Sequence, residues 1–94
     1  MTANFPSDEK FGLTSQIRRA TTSIAANIAE GMSRKTNKEK SRFLNLSFGS
    51  AIEVINFLII SNDLEYISEE EYLDKRLKLE KITNQINALN NKLT

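Results

Sequence analysis

The segment from Phe43 to Ile60 would present apolar side chains around most of the circumference of a helix. One stripe consists of Leu44, Phe48, Ala51, Ile55 and Leu58, a second of Phe43, Leu46, Val54 and Phe57, and Ile52, Ile59 and Ile60 add further apolar surface. Such a helix packs on more than one side, so it lies at the centre of a domain or partly in an oligomer interface. With Glu53 and several polar residues, the segment is too short and too polar for a membrane span of about 20 apolar residues.

Three helices are predicted, and each begins at a residue that can cap free backbone N–H groups: Ser7, Thr36 and Ser68. A glutamate follows three residues after the second and the third of these, which is the spacing of a capping box. We therefore expect helices at about 7–31, 36–62 and 68–92 in a single helical-bundle domain over residues 1–94, with Gly31 ending the first.

The outer two helices each have one apolar face. The first shows Leu13, Ile17, Ala20, Ile24 and Ile28, and the third follows heptad spacing with Tyr72, Leu79, Ile82, Ile86, Leu89 and Leu93, where Lys75 takes one slot. The short connections favour antiparallel neighbours, so the fold class expected is an all-α, antiparallel up-and-down bundle. The surplus apolar surface of the middle helix predicts a homo-oligomer whose interface residues are Phe43, Phe48, Ile52, Phe57, Ile59 and Ile60. The heptad seam of the third helix is the alternative interface.

The composition argues against an enzyme. The 94 residues include no cysteine and no histidine, which removes thiolate nucleophiles, the usual general base and the usual transition-metal ligand. We therefore expect no catalytic residues, no metal and no cofactor. The first ten residues lack the basic start and apolar run of a signal peptide, and no membrane span is predicted, so the expected compartment is the cytoplasm.

Basic residues concentrate around the first interhelix turn, whereas acidic residues concentrate around the second. The candidate nucleic-acid-binding residues are Arg34, Lys35, Lys38, Lys40 and Arg42, with Arg18 and Arg19 as further candidates. Such a cluster suits a phosphate backbone, and because no aromatic residue interleaves with it, base stacking is not expected. Two other interpretations stay open: a solvated basic turn and a binding site for an acidic protein. For Arg18 and Arg19 a structural ion pair is the alternative, with Glu53 as the partner.

Two further features are interpreted as structural. A polar line beside the apolar stripe of the first helix consists of Gln16, Ser23, Asn27 and Glu30, and we expect it to set the helix register through hydrogen bonds between helices. Gly49 and Ser50 in the middle helix predict a close approach of two helices, with a functional kink as the alternative.

The segments FGLTSQIRRA (residues 11–20) and SIAANIAEG (residues 23–31), after Phe5-Pro6, are more specific than a helix pattern. Lys38-Glu39, Gly49-Ser50 and Tyr66-Ile67 continue the similarity in order over roughly residues 2–70. On these residues the chain resembles the 23S rRNA intervening-sequence proteins, a four-helix-bundle family also labelled S23 ribosomal protein.

The resemblance implies a bacterial protein with a four-helix up-and-down bundle, often assembled as a homopentameric ring. A related group, the accessory proteins of diversity-generating retroelements, binds nucleic acid, which favours RNA or DNA as a partner by analogy. The family has a helix before the Phe-Pro turn, and here four residues precede that turn. The family's first helix is therefore expected to be missing, and the groove it would leave suggests the alternative function of a protein-interaction scaffold or adaptor.

Overall fold

The computed structural model describes residues 5–93, with side chains from Asp8 onward. It contains three α-helices: α1 (Phe5–Met32), α2 (Asn37–Asp63) and α3 (Glu69–Asn91). No strand is present within this range. Tight turns join neighbouring helices in antiparallel order, so the expected all-α helical bundle is confirmed.

The two ends of α1 differ from the prediction. The helix begins at Phe5, so Ser7 lies inside it and not at its start. Pro6 is tolerated there because the first-turn N–H that a proline lacks would have no partner within the helix. At the other end, Gly31 does not terminate α1, which continues through Met32.

The starts of α2 and α3 are capped by the predicted residues. Ser68 forms a complete capping box: its hydroxyl accepts from the Glu71 backbone N–H, and its own backbone N–H donates to the Glu71 carboxylate. Thr36 forms half of one, because its hydroxyl accepts from the Glu39 backbone N–H at 3.2 Å while the Glu39 carboxylate turns to Arg42. Both caps satisfy donors that a helix start leaves free.

The helices form a flat layer with α2 in the middle. α1 and α3 each pack against α2 and not against each other, and the Cα atoms of the described chain span 52 × 26 × 13 Å. The buried apolar residues are Ala20 and Ile24 of α1, Leu44, Ala51, Val54 and Leu58 of α2, and Leu79 and Ile86 of α3. The predicted stripes of α1 and α3 thus face α2, and one side of the layer, between α1 and α3, is left open.

Serine side chains, and not Gly49, lie where α1 and α2 approach each other closely. Ser47 is fully buried and donates to the backbone carbonyl of Ile24 at 2.8 Å, and the hydroxyls of Ser50 and Ser23 lie 2.9 Å apart. A β-carbon at Gly49 would meet no other described atom within 4 Å beyond its own stretch of helix. The prediction of a close approach was therefore right for Ser50 and wrong for Gly49, which faces outward.

α2 is long and apolar enough, by length and composition, to cross a membrane. The core helix of a soluble protein passes the same test. Here α2 lies between the two other helices, and Ser47, Ser50 and Glu53 bind α1 through polar contacts. One such helix is weak support for a membrane protein.

Candidate functional site

The turn between α1 and α2 brings the basic residues to one end of the bundle. The last turn of α1 is closed by the Ser33 hydroxyl, which donates to the Glu30 backbone carbonyl at 2.7 Å, and by the Arg34 backbone N–H, which donates to the Gly31 carbonyl at 3.1 Å. The chain then reverses and α2 begins at Asn37. This reversal places Arg34 next to the first turns of α2.

Phe43 is the centre of the basic turn. The guanidinium carbon of Arg34 lies 4.7 Å from the centre of its ring, and that of Arg42 lies 4.5 Å from it. Both distances are within the range of a cation–π contact. The sequence analysis named no aromatic residue in the cluster, and the structure adds Phe43 to it. The ring is half-buried and covered by the protein's own arginines, so it positions cations and is not an open platform for a base.

Each of these two arginines is also paired with a glutamate. Arg34 donates to the Glu30 carboxylate at 2.7 Å, and Arg42 donates to the Glu39 carboxylate at 3.3 and 3.4 Å. These contacts order the two side chains and neutralise part of their charge. In addition, the Nε atom of Arg34 is buried and has no hydrogen-bond partner among the described residues.

Lys35, Lys38 and Lys40 complete the basic turn. None of the three ammonium groups is paired with a carboxylate within residues 5–93, and Lys35 and Lys38 are exposed. With Arg34 and Arg42 they form what we call the basic end, made of five cations and the partnering Glu30 and Glu39. The structure thus brings together five of the seven predicted nucleic-acid-binding residues.

Arg18 and Arg19 lie elsewhere. They lie in the middle of α1, about 14 residues before its end at Met32, which is roughly 20 Å at 1.5 Å per residue. Arg19 donates to the Glu53 carboxylate at 2.8 Å and to the Gln16 side chain at 3.0 Å, so the alternative of a structural ion pair with Glu53 is confirmed for Arg19. Arg18 lines a cavity between α1 and α3.

The polar line of α1 makes fewer contacts between helices than expected. Among its four residues, Ser23 alone has a described partner on α2, the Ser50 hydroxyl. The side-chain amide of Asn27 donates to Ser23, on its own helix. Gln16 accepts from Arg19, and Glu30 accepts from Arg34. The prediction of register-setting bonds therefore holds for Ser23 and is wrong for the others.

A shallow depression of about 560 Å³ lies beside the basic end, between the start of α2 and the end of α3. Lys38, Arg42 and Leu93 are among the residues that line it. Behind it the Ser41 hydroxyl donates to the Asn90 side-chain carbonyl at 2.6 Å, and the Asn90 amide donates to Asn45 at 2.9 Å. These bonds fix the end of α3 next to the start of α2.

A second surface is an apolar groove between α1 and α3, which we call the α1/α3 groove. α2 forms its floor with Leu44, Val54 and Leu58, and three cavities of about 210, 190 and 270 Å³ follow it from Leu13 to Ile28. That stretch of α1 measures about 23 Å, roughly four helical turns. Its walls are lined by Thr21 and Ala25 of α1 and by Lys75, Lys78, Leu79, Ile82, Gln85, Ile86 and Leu89 of α3.

The predicted interface residues of α2 fall into two groups. Ile52 and Ile60 are 46% and 38% exposed, and Leu46 is exposed with them on the outer side of α2. The half-buried members are Phe43, Phe48, Phe57 and Ile59. Phe48 packs against the core and Phe43 contacts the two arginines, so both have partners within the chain.

Sequence reasoning did not find the convergence of Arg34 and Arg42 on Phe43, nor the cationic residues of the α1/α3 groove. The position of Phe43 directly after Arg42 was the available signal for the first. For the second, Lys75 in an apolar heptad slot was a signal, because it places a cation on the side of α3 that is turned toward α1 and α2.

Comparison with known families agrees with this architecture. The family described as 23S rRNA-intervening sequence protein matches residues 1–88 of the 94. A search of curated proteins found no match. The matched region contains α1, α2 and most of α3, and it includes both the basic end and the α1/α3 groove. The chain belongs to the 23S rRNA-intervening sequence protein family.

Proposed function

We propose that this chain is a non-enzymatic, oligomeric cytoplasmic protein that binds RNA or other nucleic acid through its basic end. The observation that carries the proposal is the placement of three lysines, which form no ion pair with any described residue, beside two guanidiniums held over Phe43. Ligand phosphates are recognised by such a group of cations without regard to sequence.

The lysines carry most of this affinity. Glu30 and Glu39 already neutralise part of the charge on Arg34 and Arg42, whereas an ammonium group without an internal partner releases counterions when it contacts a phosphate. The arginines instead hold Phe43 and shape the turn. Because guanidiniums form bidentate bonds with phosphates, they can exchange a glutamate for a phosphate oxygen on binding.

The acidic residues at the opposite end of the bundle favour one orientation of the protein on a nucleic acid. The second interhelix turn and the start of α3 carry Asp63, Glu65, Glu69, Glu70, Glu71 and Asp74. Phosphates are repelled from this end and attracted to the other. The elongated layer therefore meets a nucleic acid with its basic end first.

The test is a binding titration of labelled structured RNA, single-stranded DNA and duplex DNA from low to physiological salt. The variant is Lys35→Glu/Lys38→Glu/Lys40→Glu, which leaves the arginines on Phe43 in place. The matched control is Lys81→Glu, at an exposed lysine in the middle of α3, compared with Lys38→Glu alone. We expect salt-dependent binding that the triple variant loses and Lys81→Glu retains. Absence of binding at low salt, or equal loss in Lys81→Glu and Lys38→Glu, contradicts the proposal.

A second candidate function is that of a protein-interaction scaffold that uses the α1/α3 groove. The observation in its favour is that α1 and α3 of the described chain do not pack on each other. An apolar groove about four helical turns long is left between them. An amphipathic helix is the element that fits such a groove, with its apolar face on the floor.

Because the chain has no cysteine, a single introduced thiol can report on the groove. An environment-sensitive dye at Thr21→Cys lies in the groove wall, whereas the same dye at Thr22→Cys lies on an exposed position outside the three cavities. Docking of a helix shifts the emission of the first dye to shorter wavelength and leaves the second unchanged. Equal responses from both positions rule out docking in the groove.

A further inference from the structure

We propose that the half of the α1/α3 groove nearest the start of α1 binds the outer side of α3 from a second copy of the chain. The inference rests on the second candidate function, the groove as a protein-docking surface, and names its occupant. It is independent of nucleic-acid binding at the basic end.

This half of the groove combines an apolar floor with a cationic rim. Its two cavities, of about 210 and 190 Å³, share Ile17 and Leu58 as apolar lining residues. Four cations line the same cavities: Lys10, Arg18, Lys75 and Lys78. The Lys78 ammonium already contacts Asp74 at 3.2 Å, whereas the other three have no carboxylate partner within the described chain. The ligand of this half-groove is therefore apolar in the middle and acidic at its edges.

The outer side of α3 has this composition. Glu70, Leu73, Leu77 and Glu80 follow at spacings of three, four and three residues, which places them on one side of the helix. Leu73 is 53% exposed and Leu77 is 63% exposed, which is far more than the core leucines of the chain. They form an apolar pair with a carboxylate before and after it. No residue of the described part of this chain covers the pair.

The two surfaces also match in length. The span from Glu70 to Glu80 is ten residues, about 15 Å, and the span from Lys10 to Arg18 is eight residues, about 12 Å. Leu73 and Leu77 can thus occupy the apolar floor while the two glutamates reach cations on the rim. As α3 is at one edge of the flat layer, its outer side is accessible to a second copy.

The contact is heterologous, because the groove of one copy binds the α3 of the next. An open chain of copies keeps a free groove at one end and a free α3 at the other until a ring closes. The outer side of α2, with Leu46, Ile52 and Ile60, is the competing interface, but a contact there would leave the groove uncovered.

Charge exchange tests this arrangement. One variant, Arg18→Glu/Lys75→Glu, makes the rim acidic, and the other, Glu70→Lys/Glu80→Lys, makes the outer side of α3 basic. Alone, each variant brings like charges together in the contact. Mixed in equal amounts, each α3 meets a rim of opposite charge. We expect the wild type to assemble, each variant to be at least tenfold weaker in self-association by light scattering, and the mixture to recover assembly. Circular dichroism confirms that each variant is helical.

Three outcomes overturn the proposal: a wild type that is monomeric at high concentration, variants that assemble as the wild type does, or a mixture that does not recover. A control variant, Ile52→Glu/Ile60→Glu, is expected to assemble normally. If it alone abolishes assembly, the interface is the outer side of α2.

The dye at Thr21→Cys separates failure of this inference from failure of groove docking. With the second copy as occupant, its emission shifts as the concentration of the chain rises, and Leu73→Asp/Leu77→Asp in the same chain abolishes the shift. If the dye responds to an added amphipathic helix and not to a rise in the concentration of the chain, the groove is a docking surface but a second copy of the chain is not its occupant.

Discussion

Gly31 lies so close to Phe43 that a β-carbon at position 31 would stand 3.0 Å from the β-carbon of Phe43. The backbone carbonyl of Lys40 would be 3.4 Å from the same atom. The end of α1 therefore rests almost directly on the first turns of α2. Since Arg34 and Arg42 both lie over the Phe43 ring, this approach also determines where the basic end is formed.

Alanine substitution at two glycines tests the close approach. The methyl group of Gly31→Ala would crowd the β-carbon of Phe43, which can move only with the backbone of α2. We expect this variant to lower the free energy of unfolding by about 1 kcal/mol, because overpacking outweighs the gain in helix propensity. Gly49→Ala adds a methyl group in open space on α2 and is expected to raise that free energy by up to about 1 kcal/mol. Urea unfolding at one fixed protein concentration measures both. A gain in stability at both positions would show that α1 and α2 can separate without cost.

The ion pair between Arg19 and Glu53 is expected to contribute little to stability. Its side chains are 57% and 40% exposed, and exposed pairs of this kind stabilise by roughly 0–1 kcal/mol. Ser47 is fully buried, so Ser47→Leu overpacks the contact with α1 and should cost about 2 kcal/mol or more. Thermal unfolding of Glu53→Gln and Ser47→Leu compares the two. A larger loss for Glu53→Gln would mean that the pair, and not packing, holds α1 to α2.

Ser68 and Thr36 cap their helices to different extents. Ser68→Ala removes one hydroxyl from a complete capping box and should destabilise the chain by about 1 kcal/mol. Thr36→Ala removes the single bond to the Glu39 N–H at 3.2 Å and should cost less. Guanidinium unfolding of the two variants gives the comparison. Equal losses would indicate that the bond from the Ser68 backbone to Glu71 adds nothing.

Tyr66 links the start of α1 to the second turn. Loss of contact with water, the negative charge of Glu9 and a hydrogen bond to that carboxylate raise the pKa of the Tyr66 hydroxyl. Because the folded-state pKa is raised, the associated stability is complete below the ordinary value of about 10 and is lost as the pH rises through the folded-state value. Ultraviolet absorbance should show that Glu9→Gln lowers the pKa of Tyr66, with Tyr72→Phe as the background that isolates it. An unchanged titration would exclude the contact with Glu9.

The salt dependence of the affinity for nucleic acid should give the number of phosphates that the basic end contacts. Three lysines that each neutralise one phosphate of duplex DNA contribute about 2.7 to the slope of log affinity against log salt. Lys35→Ala/Lys38→Ala/Lys40→Ala should reduce the slope by about that amount, whereas Lys81→Ala should leave it unchanged. A slope that the triple variant does not alter would mean that other groups contact the phosphates.

Local patterns in the sequence account for much of the fold. The spacing of Ala20 and Ile24, and that of Leu79 and Ile86, predicted which sides of α1 and α3 face the core, because a helical period of 3.6 residues relates sequence spacing directly to a face. The Arg19–Glu53 pair was predictable as well, since Glu53 is the one acid amid the apolar residues of α2. The start of α1 was not, because the sequence offers Ser7 as a cap of the same type as Ser68, whereas the helix begins two residues earlier, at Phe5.

The sequence by itself determined the helices, their apolar faces and the accumulation of positive charge near the first turn, because these depend on residues close together in the chain. The tertiary structure decided what is brought together from a distance: the convergence of Arg34 and Arg42 on Phe43, the outward position of Gly49, and the separation of α1 from α3 that opens the groove. These features depend on the rotation of each helix about its own axis and on the side of α2 that its neighbours occupy, and neither is encoded in the period of a single helix.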